Sequence, residues 1–300
     1  MIEPPRSPQD SAFEGDRWAG RFVPGTGYGV LIVLVLMAGQ VAVGGAFDAL
    51  RGGTPLWIVA IVAALIATGV ALWVIRRWWR LDLDEVVPPG YPAGSVMAAL
   101  VPLTIGMQIL FSEMDNLLQL VWPMPPEMKA MMADLVGGSI ITALLVLVIV
   151  APLTEELLFR GAVLGGLLRG PNILRAIAVS SILFGLAHGN PWQFAGAFCA
   201  GMLFGWLRVR TNSIVPGLWG HALMNAVPVL AMHILPPIPG FTEVRDTPTL
   251  QPYWLDATGV VLVYVGARLL LNAIRQSTRV SDWRVDDAGI ASPSDGGSSS

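Results

Sequence analysis

The sequence is poor in charge: 13% of its 300 residues are Asp, Glu, Lys or Arg, about half the share typical of a soluble globular domain. Too few polar side chains exist to cover a water-facing surface, which excludes an ordinary soluble protein. There is a single cysteine, Cys199, so an internal disulfide and a zinc–thiolate site are both excluded. Lysine is equally scarce, Lys129 standing alone among 18 cationic residues. The net charge of −3 leaves no basic footprint, and nucleic acid is not an expected partner. What is present instead is apolar: 54% of residues are hydrophobic, with a mean hydropathy of +0.63. These figures describe an integral membrane protein, long enough for one bundle of several helices.

A bilayer core needs about 20 apolar residues per helix. Runs of that kind occur at 28–47, 55–79, 92–112, 134–168, 173–189, 191–208, 213–235 and 254–274. The expected fold is therefore all-α, a polytopic membrane helix bundle of about eight transmembrane helices. Gly189-Asn190-Pro191 reads as a tight turn between two antiparallel helices. The stretch 114–122 is short and polar and reads as a surface piece ahead of the Pro-rich loop 123–126. Arginines cluster on one side of this arrangement, at Arg6, Arg17, Arg21, Arg76, Arg77, Arg80, Arg169, Arg175, Arg208, Arg210, Arg275, Arg279 and Arg284. The other side holds Arg51, Lys129 and Arg245. By the positive-inside rule both termini are expected in the cytoplasm.

The organisation that follows is a cytoplasmic segment 1–27, an N-terminal membrane region 28–133 and a core 134–235. A loop with the last membrane helix at 236–274 and a disordered cytoplasmic tail at 275–300 complete it. The first 27 residues are polar and do not resemble a cleavable signal.

Ionisable groups within membrane spans are costly and are functional candidates by default. Here they concentrate in 154–225. Glu156 and Arg160 stand at i and i+4 of one helix and can pair. Glu155 is rotated about 100° from Glu156, has no partner on its own helix and is left to face something else. Pro152, just upstream, lacks an N–H and is expected to kink the helix. His188 closes a second span, and His221 and Asn225 share one face of a third at i and i+4. Singly, each has a bland reading: solvated charges at a helix end, a hydrogen-bonded packing histidine, or amide glue between helices. Together they bring a carboxylate, two imidazoles and an amide from three helices. That set suffices to activate a water and stabilise an oxyanion. His233, near a span end before Pro236-Pro237, reads as interfacial.

These residues, in this order, resemble the CPBP family of CAAX-type prenyl-protein endopeptidases and bacteriocin-processing (Abi) proteins. The pattern Glu-Glu-x-x-x-Arg, Phe-x-x-x-His, His-x-x-x-Asn appears as Glu155–Arg160, Phe184–His188 and His221–Asn225. The resemblance covers roughly 150–230 and implies an intramembrane endopeptidase. It implies Glu155 as general base, His188 holding the water, and His221 with Asn225 stabilising the oxyanion. Glu156 and Arg160 are supporting residues.

Zinc is an open alternative within that family, with Glu155, His188 and His221 as the ligands. The base would then have to be Glu156, which conflicts with its pairing to Arg160, and no His-Glu-x-x-His helix is present. The reading leans to activated water without obligatory zinc. The expected partners are a peptide or membrane-protein substrate, CAAX-like or otherwise, and the lipid bilayer. The oligomeric state is unknown. The composition suggests a bacterial cytoplasmic membrane. Competing classes are a non-catalytic partner-binding or immunity protein and a transporter, the latter disfavoured by the lack of an inverted repeat.

Overall fold

The computed structural model describes residues 56–243 and 247–289. Among these, helix follows helix: α1 (Leu56–Trp79), α2 (Leu83–Val86), α3 (Gly94–Val121), α4 (Pro126–Gly137), α5 (Ile140–Leu167), α6 (Ile173–Ala187), α7 (Pro191–Thr211), α8 (Val215–Ile234) and α9 (Tyr253–Gly289). Extended pairing among the described residues is limited to an isolated bridge, Pro239 with Glu243. Four segments are long and apolar enough to cross a bilayer: Gly94–Val121, Ile140–Leu167, Val215–Ile234 and Tyr253–Ser277. The chain is a multi-pass helical membrane protein. The expected span 28–47 and the segment 1–27 lie outside the described residues.

Three boundaries differ from expectation. The stretch 114–122 is not a separate piece ahead of the loop, because α3 continues to Val121. Its polar groups find partners: Asn116 Nδ2 donates to Gly240 O at 2.7 Å and Gln119 Nε2 to Asp115 Oδ2 at 3.0 Å. The run expected at 134–168 is divided, α4 ending at Gly137 and α5 starting at Ile140 after Gly138-Ser139. The expected boundary at 133/134 thus falls inside α4. Finally, α9 runs to Gly289, into the segment expected as disordered tail. No glycine or proline interrupts residues 275–288, so nothing local stops the helix before Gly289.

The α6–α7 turn forms as expected. Gly189 adopts φ +68°, a left-handed conformation open to glycine. The Asn190 side chain then caps α7 by accepting the Gln193 N–H at 2.9 Å, with Pro191 opening the helix. His188 is thereby placed at the very end of α6.

Two seams of small residues hold the bundle. Antiparallel α3 and α9 approach through Gly106 and Gly266. A Cβ on Gly106 would lie 2.6 Å from Gly259 O, and one on Gly266 would collide with the Leu103 backbone. On α5, Gly161 and Gly165 admit α2, where added Cβ atoms would lie 2.6 Å from Val86 O and 2.7 Å from Glu85 O. Arg169 locks this end. Its guanidinium binds both Glu85 oxygens at 2.8 and 2.7 Å and also donates to Trp79 O and Arg80 O. The far end of α5 is thus fixed, and residues Leu158–Gly166 are buried.

Candidate active site

The site is organised by α5, which is not uniformly wound. An α-helical turn, Ala151–Glu156, is flanked by π-helical segments Leu144–Val150 and Leu157–Val163. Such widened turns frequently mark functional positions in helices. Thr154 steadies the intervening turn by donating its hydroxyl to Val150 O at 2.8 Å. Neighbouring helices also bond to backbone carbonyls within the widened segments. Ser180 Oγ donates to Phe159 O at 3.0 Å and Asn225 Nδ2 to Leu147 O at 2.8 Å.

Glu156 and Arg160 pair as their spacing requires, with Nη1 3.0 Å from Oε1 and side chains 0% and 1% exposed. Neither Arg160 Nη atom has an aligned hydrogen bond to a described residue, so the contact is ionic in character. The cation is covered instead by aromatic faces, Phe184 at 4.1 Å and Phe204 at 5.5 Å from the ring centroids. Glu156 does more than its spacing suggested. The same Oε1 lies 3.0 Å from His221 Nδ1, across 65 residues of sequence. A carboxylate only accepts, so His221 donates through Nδ1–H, which leaves Nε2 as the other functional nitrogen. Nε2 points to the second glutamate, 3.8 Å from Glu155 Oε2. That oxygen is buried and accepts no hydrogen bond from the described residues, although the Glu155 side chain as a whole is 32% exposed.

The His221 ring is clamped, stacked on Phe204 at 5.9 Å and edge-on to Phe184 at 5.6 Å. Space for this is cut by Gly217, one turn earlier, where a Cβ would sit 2.7 Å from Glu156 Oε2. His188 is half-buried and donates from Nδ1 to Phe184 O at 3.0 Å, its ring 5.0 Å from that of Phe184. The Phe184 ring therefore touches Phe159, Arg160, His188 and His221. Asn225 lies one turn beyond His221, half-buried, with its amide bonded to Leu147 O. His233 is engaged elsewhere, its Nδ1 2.8 Å from Val229 O and its Nε2 3.0 Å from Gly138 O, both of them acceptors.

Of the expected residues, Glu155, Glu156, Arg160 and His221 are in direct contact. His188 joins them through Phe184, and Asn225 through its own helix and α5. The Glu156–His221 bond, the clamping rings and the Gly217 gap were missed in the sequence. Only Gly217-x-x-x-His221 hinted at them, a small residue one helical turn before a polar one. Among the described residues no three His, Cys, Asp or Glu side chains converge closely enough to hold a metal ion. Glu155, His188 and His221, as arranged, do not make the three-ligand set that a catalytic zinc takes. Glu156 is already engaged by Arg160 and His221.

A buried carboxylate–imidazole centre inside a helical bundle defines the class: a multi-pass membrane protein with a paired glutamate–histidine centre among its helices. Residues 137–227 match the family described as type II CAAX prenyl endopeptidase Rce1-like, a span that contains every site residue. The matched segment contains the three motifs that carry the resemblance to the CPBP family. Two curated proteins are similar over part of their length. The putative membrane peptidase YdiL of Bacillus subtilis is 30% identical over 33% of this chain and 40% of its own length. The UPF0177 protein YxdF of Lactococcus lactis is 30% identical over 31% of this chain and 52% of its own. The matches thus span about half or less of either relative.

Proposed function

We propose that the protein is an intramembrane endopeptidase that hydrolyses membrane-associated or C-terminal, CAAX-like peptides with a glutamate-activated water. The observation that carries this reading is the 3.8 Å apposition of Glu155 Oε2 and His221 Nε2 inside the bundle. Two acceptors that close can share one water, which donates a proton to each and turns a lone pair outward. His188 Nε2, left unprotonated by the Nδ1–H bond to Phe184 O, offers the same water an alternative acceptor to His221 Nε2.

In the step we infer, the water oxygen bonds to the scissile carbonyl carbon while Glu155 takes its proton. The carbonyl π-electrons move to oxygen, the oxyanion is met by the second amide N–H of Asn225, and the hydroxyl just formed keeps donating to His221 Nε2. Collapse breaks the C–N bond, and the proton held by Glu155 passes to the leaving amine. Glu156 keeps the His221 ring in register throughout, and Arg160 balances the Glu156 charge. We place this enzyme in a bacterial cytoplasmic membrane, with about eight spans and both termini in the cytoplasm, as the arginine distribution supports.

The test is cleavage of a panel of quenched fluorescent peptides, with and without a farnesylated Cys-a-a-X tail, by protein purified in detergent. Glu155→Ala is expected to lose cleavage by at least about a hundredfold, the lower range for a general base, while inserting and purifying normally. Full activity in that variant would remove Glu155 from the base role.

A further inference from the structure

We propose that Pro152 is a positioning residue for this hydrolysis. By lacking an N–H it leaves the Leu147 carbonyl to Asn225, and that bond fixes the catalytic amide. The inference rests on the proteolytic reading above and adds to it a device in the α5 backbone.

In the π-wound segment Leu144–Val150, the donor to each carbonyl lies five residues further on. Ala151 N–H accordingly donates to Val146 O. The next bond in that series would run from residue 152 to Leu147 O. Residue 152 is a proline and has no N–H to give. A backbone carbonyl left unmatched inside a membrane bundle is costly, and a side chain from a neighbouring helix commonly meets the demand. Here that side chain is Asn225, whose Nδ2 reaches Leu147 O at 2.8 Å.

The consequence for the site follows from the helix periods. Pro152 precedes Glu155 by three residues on α5, and Asn225 follows His221 by four on α8. Each pair shares a face of its helix. The Asn225–Leu147 bond therefore ties the two helix faces that carry Glu155 and His221. It uses one amide N–H and sets the plane of the amide, so that the second N–H has a fixed direction. Pro152→Ala would supply a backbone N–H to the same carbonyl. Asn225 would then lose its partner, and its amide would be free to turn about the terminal torsion.

The experiment is a double-mutant cycle of Pro152→Ala and Asn225→Ala, read in two ways on detergent-purified protein. With the peptide panel, Pro152→Ala is expected to lower kcat about tenfold with KM unchanged, and to have less than a roughly twofold effect when Asn225 is already alanine. In thermal unfolding, Asn225→Ala is expected to lower the midpoint of the parent, and less than about half as much in the Pro152→Ala protein. Wild-type kcat in Pro152→Ala, or losses that multiply across the cycle, would overturn the positioning role. Additive midpoint losses would overturn the shared-carbonyl arrangement itself. A wild-type protein that cleaves none of the peptides would overturn the proteolytic reading and the catalytic half of this one, and the unfolding cycle would still decide who satisfies Leu147.

Discussion

Glu156→Gln is the most informative perturbation of the buried ion pair. Glu156 Oε1 serves both Arg160 Nη1 and His221 Nδ1, each at 3.0 Å, in a pocket where both members of the ion pair are essentially unexposed. Gln keeps the size and an acceptor oxygen for His221 but removes the charge that offsets Arg160. Leaving one member of a buried pair uncompensated costs about 3–5 kcal/mol. For a domain of this size 1 kcal/mol shifts Tm by about 2–4 °C, so a fall on the order of 10 °C is expected. Replacing both partners, as in Glu156→Gln with Arg160→Met, removes the orphaned cation and is often close to neutral. The double variant should therefore recover most of the lost Tm. The assay is thermal unfolding in one detergent, beside peptide cleavage. A double variant no more stable than Glu156→Gln would refute the argument that an unpaired Arg160 causes the loss. A Glu156→Ala protein that is fully stable and wholly inactive would reverse the roles given to the two glutamates.

Two further outcomes can be measured directly. Gly217→Ala should destabilise the protein by about 1–3 kcal/mol, as overpacking does, because its Cβ would press to 2.7 Å from Glu156 Oε2; unchanged Tm and kcat would mean that Glu156 has room to move. Elemental analysis of cleaving wild-type protein, Glu155→Ala and His188→Ala is expected to find no stoichiometric zinc. About one zinc per chain, lost in both variants, would establish a metal site and shift the base role towards Glu156.

The positions that spacing governs were legible in the sequence, because a helix places i and i+4 on one face whatever surrounds it. Glu156 with Arg160, and His221 with Asn225, are of this kind. So is the Gly189-Asn190-Pro191 turn, where each residue type suits one backbone position. Polarity was a poorer guide. Asp115, Asn116 and Gln119 suggested that the helix had ended by 114, since polar residues in a membrane protein read as exposed. The fold lays the segment after α8 against them, and Ser112 and Asn116 both donate to Gly240 O. Once satisfied in this way, polar side chains no longer end a helix.

By composition and periodicity alone, this sequence determined that it forms a multi-pass bundle of apolar helices. It also determined which few polar residues stand inside that bundle, since burying them has no other cheap explanation. Tertiary structure decided what those residues do to one another. No local pattern reports that Glu156 meets His221 across 65 positions, or that Phe184 touches four residues of the site. Nor does one show that the donor missing at Pro152 is replaced by Asn225 on another helix. Such contacts depend on the relative height and rotation of helices set by distant seams, Gly161 and Gly165 under α2 and Gly106 against α9. Helical periodicity fixes where a side chain points around its own axis, and only packing fixes what it finds there.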